Sequence, residues 1–406
     1  MRDTDVLICG AGIAGTTLAY WLSRSGFKPT VVEHAPAPRP GGQAVDLRGA
    51  GRIVVERMGL LGRVRAIGLE QHGLALVGST GRIAARLPTE SFGGEGIVSE
   101  IEVLRGDLCE VLYEATLPHT EYLFSDTITG IQQRPDGVTV TFDKSPRRRF
   151  GLVVGADGLH SAVRGLVFGP ESHCVRPLGC YTAWFTADTD VELDGWFLMY
   201  NAPGGLVVSA RPGRLAGEIK AGLSFRSPPI AYDRGDLTGQ RNIVARRFAG
   251  IGWETPRLLN AMRAASDFFF DSMGRVYLDC WSRDRVTLVG DAAYCSTPLT
   301  GLGTSLALVG AYVLAGELAT AGGDHDVAFS RYQSVMRPYV TRGQQLPPGG
   351  LAGFAPRNRV VIRSRALTMH WMTRWPFRKL FAAQFGKASG IVLPDYSAVI
   401  PTRSGP

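Results

Sequence analysis

Gly10-Ala11-Gly12-Ile13-Ala14-Gly15 stands between an apolar run at residues 6–9 and a stretch, 13–25, whose apolar residues recur at helical spacing. A second apolar run follows at 30–33 and ends on Glu33. Read in order this is strand, tight turn, helix, strand, the opening unit of a doubly wound parallel sheet. Gly10 permits the turn, Gly12 lets a pyrophosphate reach the amino end of the helix, and Gly15 lets the helix lie close on the strand. Glu33, eighteen residues after Gly15, is placed to accept from ribose hydroxyls. The chain is thereby constrained to an α/β fold that holds a dinucleotide.

At 406 residues the chain exceeds what one core organises, so a second domain or an inserted layer is expected. With 45% apolar and 20% charged residues, a disordered or fibrous chain is excluded. The formal charge of +8 comes from 44 basic and 36 acidic residues, and 39 of the basic ones are Arg, a skew that reads as composition. Eleven basic residues lie from Arg337 onward against the single acid Asp395, interleaved with His370, Trp371, Trp375, Phe377, Phe381 and Phe385. That stretch is read as a helix docking its aromatic side on the body, so neither nucleic-acid binding nor stable membrane insertion is expected. Six cysteines without a C-x-x-C pair, and an opening MRDTD with no basic-then-apolar leader, point to a reduced, cytoplasmic setting. The longest apolar run, 306–316, falls short of the about 20 residues a bilayer crossing needs.

Residues 104–117 have helical periodicity, 127–133 and 138–142 flank the turn Pro135-Asp136-Gly137, and 152–154 is a buried strand. From 178 to 225 strand-like runs separated by Gly and Pro replace this pattern, which predicts an inserted antiparallel sheet. A buried strand at 286–289 and a long apolar helix at 304–319 then resume the first domain. The expected architecture is α/β, α+β overall: a Rossmann-like dinucleotide domain at 1–73, 100–175 and 275–340, a substrate domain at 74–99 and 176–274, and a C-terminal helix within 350–390.

Two more strand ends carry an aspartate after glycine. One is Gly155-Ala156-Asp157-Gly158, followed by Ser161 and Arg164; the other is Gly290-Asp291, running on to Pro298, Gly301 and Gly303. Both put a carboxylate at the edge of a doubly wound sheet where ligands bind. Only one full G-x-G-x-x-G occurs, so a separate nicotinamide domain is not expected, and no close cluster of metal ligands is seen.

In this ordered set, with Gly41-Gly42 leading to Asp46-Leu47-Arg48 and with Arg105 in Leu104-Arg105-Gly106-Asp107-Leu108, the chain resembles the class A flavoprotein monooxygenases. It is similar to their p-hydroxybenzoate hydroxylase-like and tetracycline-inactivating members as far as about residue 340. The resemblance implies bound FAD, with Glu33 on the adenosine ribose, Asp46, Arg48 and Arg105 at the flavin cofactor and Asp291 on the ribityl chain. Asp157 and Gly158 would lie near the flavin and nicotinamide pyrophosphates, Pro298, Gly301 and Gly303 would belong to the cofactor site, with the helix starting near Gly303 directing N–H groups at the ring, and Arg39 would lie against NADPH. It further implies that NADPH reduces the flavin, that oxygen adds at C4a, and that the hydroperoxide oxygenates an aromatic or polyketide-like molecule, with no side-chain catalyst required. His34, Tyr294 and Thr304-Ser305 depart from the family pattern; His34 and Tyr294 are read as packing substitutions.

The inserted sheet would wall the substrate. Its candidates are Tyr181 and Trp184 on one strand, Met199 and Tyr200 on another, and Phe225, with Lys220 as the polar exception, expected to face solvent. The rival readings are a flavin-dependent dehydrogenase or reductase, and a non-catalytic flavoprotein that binds a ligand or a membrane. Oligomeric state and substrate identity are not readable from these residues.

Overall fold

The computed structural model describes residues 4–92, 98–188, 191–215, 217–372 and 390–400. The valine- and leucine-rich runs form a six-stranded sheet in the order Ser282–Arg283, Val286–Leu288, Leu152–Gly155, Asp5–Cys9, Lys28–Glu33, Glu121–Phe124. All its pairings are parallel except the hairpin Ser282–Arg283 with Val286–Leu288. Strands buried on both faces read as continuous apolar runs, and Val6, Leu7, Ile8, Val153 and Val154 are fully buried. Helix Ile13–Arg24 and the eighteen-residue helix Gly303–Thr320 pack on this sheet. By length and composition the second of these could cross a bilayer, but it is the buried core helix of this domain.

The second sheet has seven strands in the order Phe269–Val276, Val175–Asp188, Glu218–Arg226, Leu206–Pro212, Trp196–Ala202, Gly73–Val77, Ile83–Pro88. It is antiparallel but for one pairing, Gly73–Val77 running parallel to Trp196–Ala202. Because side chains alternate between faces, the register assigns every residue to one of two layers. Tyr181, Phe185, Tyr200, Leu223 and Phe225 face helices Leu237–Phe248 and Thr255–Ala264 and form that domain's own core. Phe197, Met199, Ser209, Arg211, Lys220, Gly222 and Trp184 lie on the other face, toward the first domain.

The single helix expected within 350–390 is corrected. Among the described residues it is two helices, Gly350–Phe354 and Arg359–Met372, interrupted at Pro356, which cannot donate to a helical ladder. Met369 and Ala366 seat the second helix on the sheet beside Met199, Leu74 and Leu87. Trp375, Phe377, Phe381 and Phe385 lie outside the described residues. The segment 390–400 packs on the first domain: Tyr396 and Ile400 are buried, Gly316 makes room for the Tyr396 ring, and the Tyr396 hydroxyl donates to Glu317 at 2.6 Å. The described tail residues therefore touch both domains.

Candidate active site

A trench runs between the carboxyl edge of the parallel sheet and the open face of the antiparallel one, and its two halves share Gly12, Arg105, Ala156 and Gly158. At one end the strand Asp5–Cys9 stops at Gly10, whose φ of +104° and 2.7 Å clearance from the Ala156 carbonyl exclude a side chain. Gly12 begins helix Ile13–Arg24 and no side chain caps that helix, so its first N–H groups are left for a ligand. Glu33 accepts from the Ala11 N–H and the Ala35 N–H, both at 2.9 Å, which fixes its carboxylate at the trench wall with lone pairs to spare. Arg39 lines the same end but is largely exposed; its guanidinium meets His34 at 2.9 Å and stands 4.0 Å from Glu33. His34 is 74% exposed, so it is a rim residue and not the packing substitution read from the sequence.

Asp157 stands half-buried at the turn after Leu152–Gly155. Burial pushes its carboxyl above the ordinary range, against hydrogen bonds from Ser161 and the Val163 N–H. Arg164, buried, donates to the Leu159 and Ala292 carbonyls and so ties this turn to the one that carries Asp291. Asp291 is exposed to the trench; the surrounding protein raises its carboxyl, and a Cys295 hydrogen bond and the Arg105 charge oppose the rise. Beside it, helix Gly303–Thr320 presents an uncapped amino end through Gly303 and Thr304. Pro298 and Gly301 complete this rim.

Among the described residues of the trench, Arg105 is the cation without an acid partner. Its nearest acids in sequence are engaged elsewhere, Glu102 with Arg211 and Asp107 with Arg214 at 3.5 Å, while its own guanidinium lies 3.3 Å from where a side chain on Gly12 would begin. Asp46 lines the trench, held by Arg48 and by the Ser99 N–H at 3.2 Å. Arg48 itself stands behind Asp46, buried, and is absent from the lining, so the expected direct contact gives way to support of Asp46.

On the sheet side two of the expected wall residues line the trench, Trp184 and Lys220. Tyr181 and Trp184 are three residues apart on one strand, and a period of two puts them on opposite faces. Tyr181 clusters with Phe225 and Phe270 instead, the three ring centres 5.7–6.3 Å apart, so both Tyr181 and Phe225 are corrected to core. Met199 shares the trench face but is covered by Arg365 of the tail helix, 3.6 Å from its sulfur; Tyr200 points the other way. Lys220 does not face solvent. It is 6% exposed, donates to the Thr186 hydroxyl at 2.7 Å and pairs with Glu218. Trp184 lies against Gly222, where a methyl would sit 2.6 Å from the ring.

Sequence reasoning missed Gln43, Arg211, Cys295 and Thr297, and met Thr304 only as a departure from the family pattern. Arg211 pairs in register with Lys220, stacks 3.8 Å from the Phe197 ring centre, and burial brings its guanidinium down to about 10. The alternation Val207, Ser209, Arg211 carried a signal for it; the counter-ion Glu102, 109 residues away in sequence, did not. Tyr294 is a packing residue, against Trp281 at 4.8 Å and beneath Gly310.

Two uncapped helix ends, the carboxylates of Glu33, Asp46, Asp157 and Asp291, and the Arg105 guanidinium along one trench define a site for an extended dinucleotide with a polar and a planar end, and the residues fit FAD. Residues 3–326 match the FAD binding domain family. The chain is 45% identical to an uncharacterized protein of Mycobacterium tuberculosis, over 86% of this chain and 94% of that one. It is 34% identical to a flavin-dependent monooxygenase of Legionella longbeachae, over 98% and 99%. Among solved structures, the tetracycline destructase Tet(51) superposes with a TM-score of 0.82 at 30% identity, over 98% of this chain and 100% of that one. The chain belongs to the FAD binding domain family, and it is an FAD-dependent monooxygenase.

Asp291→Ala is expected to weaken FAD about ten- to a hundredfold, the loss of one charged hydrogen bond worth about 1.5–3 kcal/mol. Fluorescence titration of the apoprotein with FAD checks it; unchanged affinity would remove Asp291 from the cofactor.

Proposed function

We propose that this enzyme uses NADPH and O2 to hydroxylate an aromatic or polyketide-like small molecule, tetracycline-type antibiotics included. The observation that carries the reading is the facing of Trp184 and the Asp291–Gly303 rim across one trench. When bound, FAD supplies reduction by NADPH and activation of O2. The protein supplies the rest. Glu33 holds the adenosine ribose, Asp291 the ribityl hydroxyls, and Arg105 with the Gly12 amide the pyrophosphate and the adjoining ring edge. Asp46, steadied by Arg48, orients the cofactor, and Asp157 with Gly158 forms the pyrophosphate turn shared by FAD and NADPH. Arg39 extends that end toward NADPH.

The amino end of Gly303–Thr320 directs N–H groups and dipole at negative charge on the ring, a stabilisation that needs no side-chain base. Trp184 and the buried face behind it exclude water, and the Lys220–Arg211 pair sets the polarity against which a phenolic substrate lies. The six cysteines are all unpaired, which supports a reducing, cytoplasmic setting.

The test is a screen of polycyclic phenols and tetracyclines for stimulated NADPH oxidation with oxygen uptake and a product heavier by one oxygen atom. NADPH oxidation that never consumes oxygen with any such compound would favour a dehydrogenase. Trp184→Ala is expected to keep FAD but to raise the share of NADPH electrons released as peroxide severalfold, since the wall that shields the reaction is opened. Peroxide measured against NADPH consumed reads it directly.

A further inference from the structure

His160 sits two residues beyond Gly158, in the turn between Leu152–Gly155 and helix Ala162–Phe168, and lines the trench beside Asp157. Its ring leaves that turn and enters the second domain. Nδ1 lies 2.9 Å from Glu171 Oε2, at the start of the short helix Glu171–Cys174, and Nε2 lies 2.6 Å from Asp271 Oδ2 on the edge strand Phe269–Val276. A neutral imidazole offers one N–H and one lone pair; two carboxylates on its two nitrogens ask for two N–H donors, which only the imidazolium has.

The groups around the ring balance that charge. Glu171 also accepts from Arg234 at 2.9 Å, and Asp271 accepts from the Tyr232 hydroxyl at 3.0 Å and the Ser272 N–H at 2.7 Å. Asp157, the remaining acid of the turn, is directed at Ser161 and the Val163 N–H. Two acids thus meet two bases only while His160 is charged. Burial works against the charge, Asp271 and Glu171 outweigh it, and His160 titrates above the ordinary histidine range. Asp271 pairs in register with Thr182, two residues from Trp184. The contact therefore joins the cofactor turn to the strand next to the substrate wall.

We propose that His160, as an imidazolium held between Asp271 and Glu171, is a positioning residue that keeps the Asp157–Gly158 turn in register with the Trp184 wall and so sustains FAD affinity. Loss of its proton removes one of the two bonds and leaves the cluster with an excess negative charge. Its raised titration means that the stabilisation is full below the ordinary histidine range and is lost as pH rises through the folded-state value. Asp271 and Glu171 are both lowered, after burial is outweighed by His160, so their contribution is lost only as pH falls through the acid range.

The experiment titrates apoprotein with FAD at steps from mildly acidic to alkaline pH and repeats thermal unfolding of the holoenzyme at each step. Wild type is expected to lose affinity about tenfold as His160 deprotonates, the scale of one charge-assisted bond. His160→Gln should be weak throughout with no alkaline loss, and His160→Arg, a permanent cation with several donors, should keep the neutral-pH affinity into the alkaline range. Asp271→Asn reports on the same contact with the imidazole intact and should reproduce the His160→Gln profile, the double variant being no worse than either single one. A His160→Gln protein with wild-type affinity and an unchanged alkaline limb would overturn the proposal. Independent, additive effects of the two substitutions would overturn it equally.

Discussion

Truncation after Gly350 is expected to destabilise the protein by about 3–6 kcal/mol, counting only Tyr396 and Ile400 at about 1.5–3 kcal/mol each for a buried large side chain. Both are buried against the first domain, and Tyr396 also loses its bond to Glu317. The same cut bares Met199, Leu74 and Leu87 on the trench face of the sheet, so peroxide leakage should rise with the loss of stability. Denaturant unfolding and peroxide yield measure the two effects. If the basic tail served an anionic surface instead, truncation would leave both unchanged and abolish salt-sensitive binding to anionic vesicles.

The other large effect is expected at the first turn. A methyl on Gly15 would lie 1.9 Å from the Gly10 carbonyl oxygen, and both partners are backbone, so Gly15→Ala should cost about 3 kcal/mol or more and abolish FAD retention. Gly12→Ala is the contrasting case. There the new methyl meets only the end of the Arg105 side chain, at 3.3 Å, so the apoprotein should melt as wild type does while FAD binding falls. Melting curves and FAD content of the two variants separate a packing glycine from a cradle glycine; equal behaviour would show that the close approach at Gly15 does not constrain the turn.

What the sequence revealed follows the range of the interactions. Gly10, Gly12 and Glu33 are legible as trench residues because turn, helix start and the acid ending the next strand fall within one local unit, with Gly15 packed beneath them, and Asp157 and Asp291 because each closes an apolar strand. The wall of the trench was harder to read. Tyr181 and Trp184 cannot share a face, which parity alone could have excluded, but which of them faces the trench depends on helices Leu237–Phe248 and Thr255–Ala264, more than fifty residues downstream. Lys220 was read as solvent-facing because lysines are seldom buried. Glu218 is two residues away, yet the Thr186 hydroxyl that completes the site comes from the neighbouring strand. Arg211 left a signal in the alternation of its strand, but nothing near it in sequence shows the acid that neutralises it. The break at Pro356 was, by contrast, a local signal overridden by the helical spacing around it.

The strand order of the parallel sheet also bears on how the chain is made. Asp5–Cys9 and Leu152–Gly155 pair with each other, and Leu152–Gly155 then needs Val286–Leu288 on its far side. On a ribosome working at about 5–20 residues per second, that last strand appears about 15–60 s after the first. For the last about 7–27 s of that interval, once Leu152–Gly155 has itself emerged, its valine-rich edge has no neighbour, while the strands of the second domain emerge and pair among themselves. Completion of the cofactor cradle is therefore a late event in biogenesis. A nascent chain stalled before residue 286 would expose an apolar strand edge suited to chaperone capture or self-association.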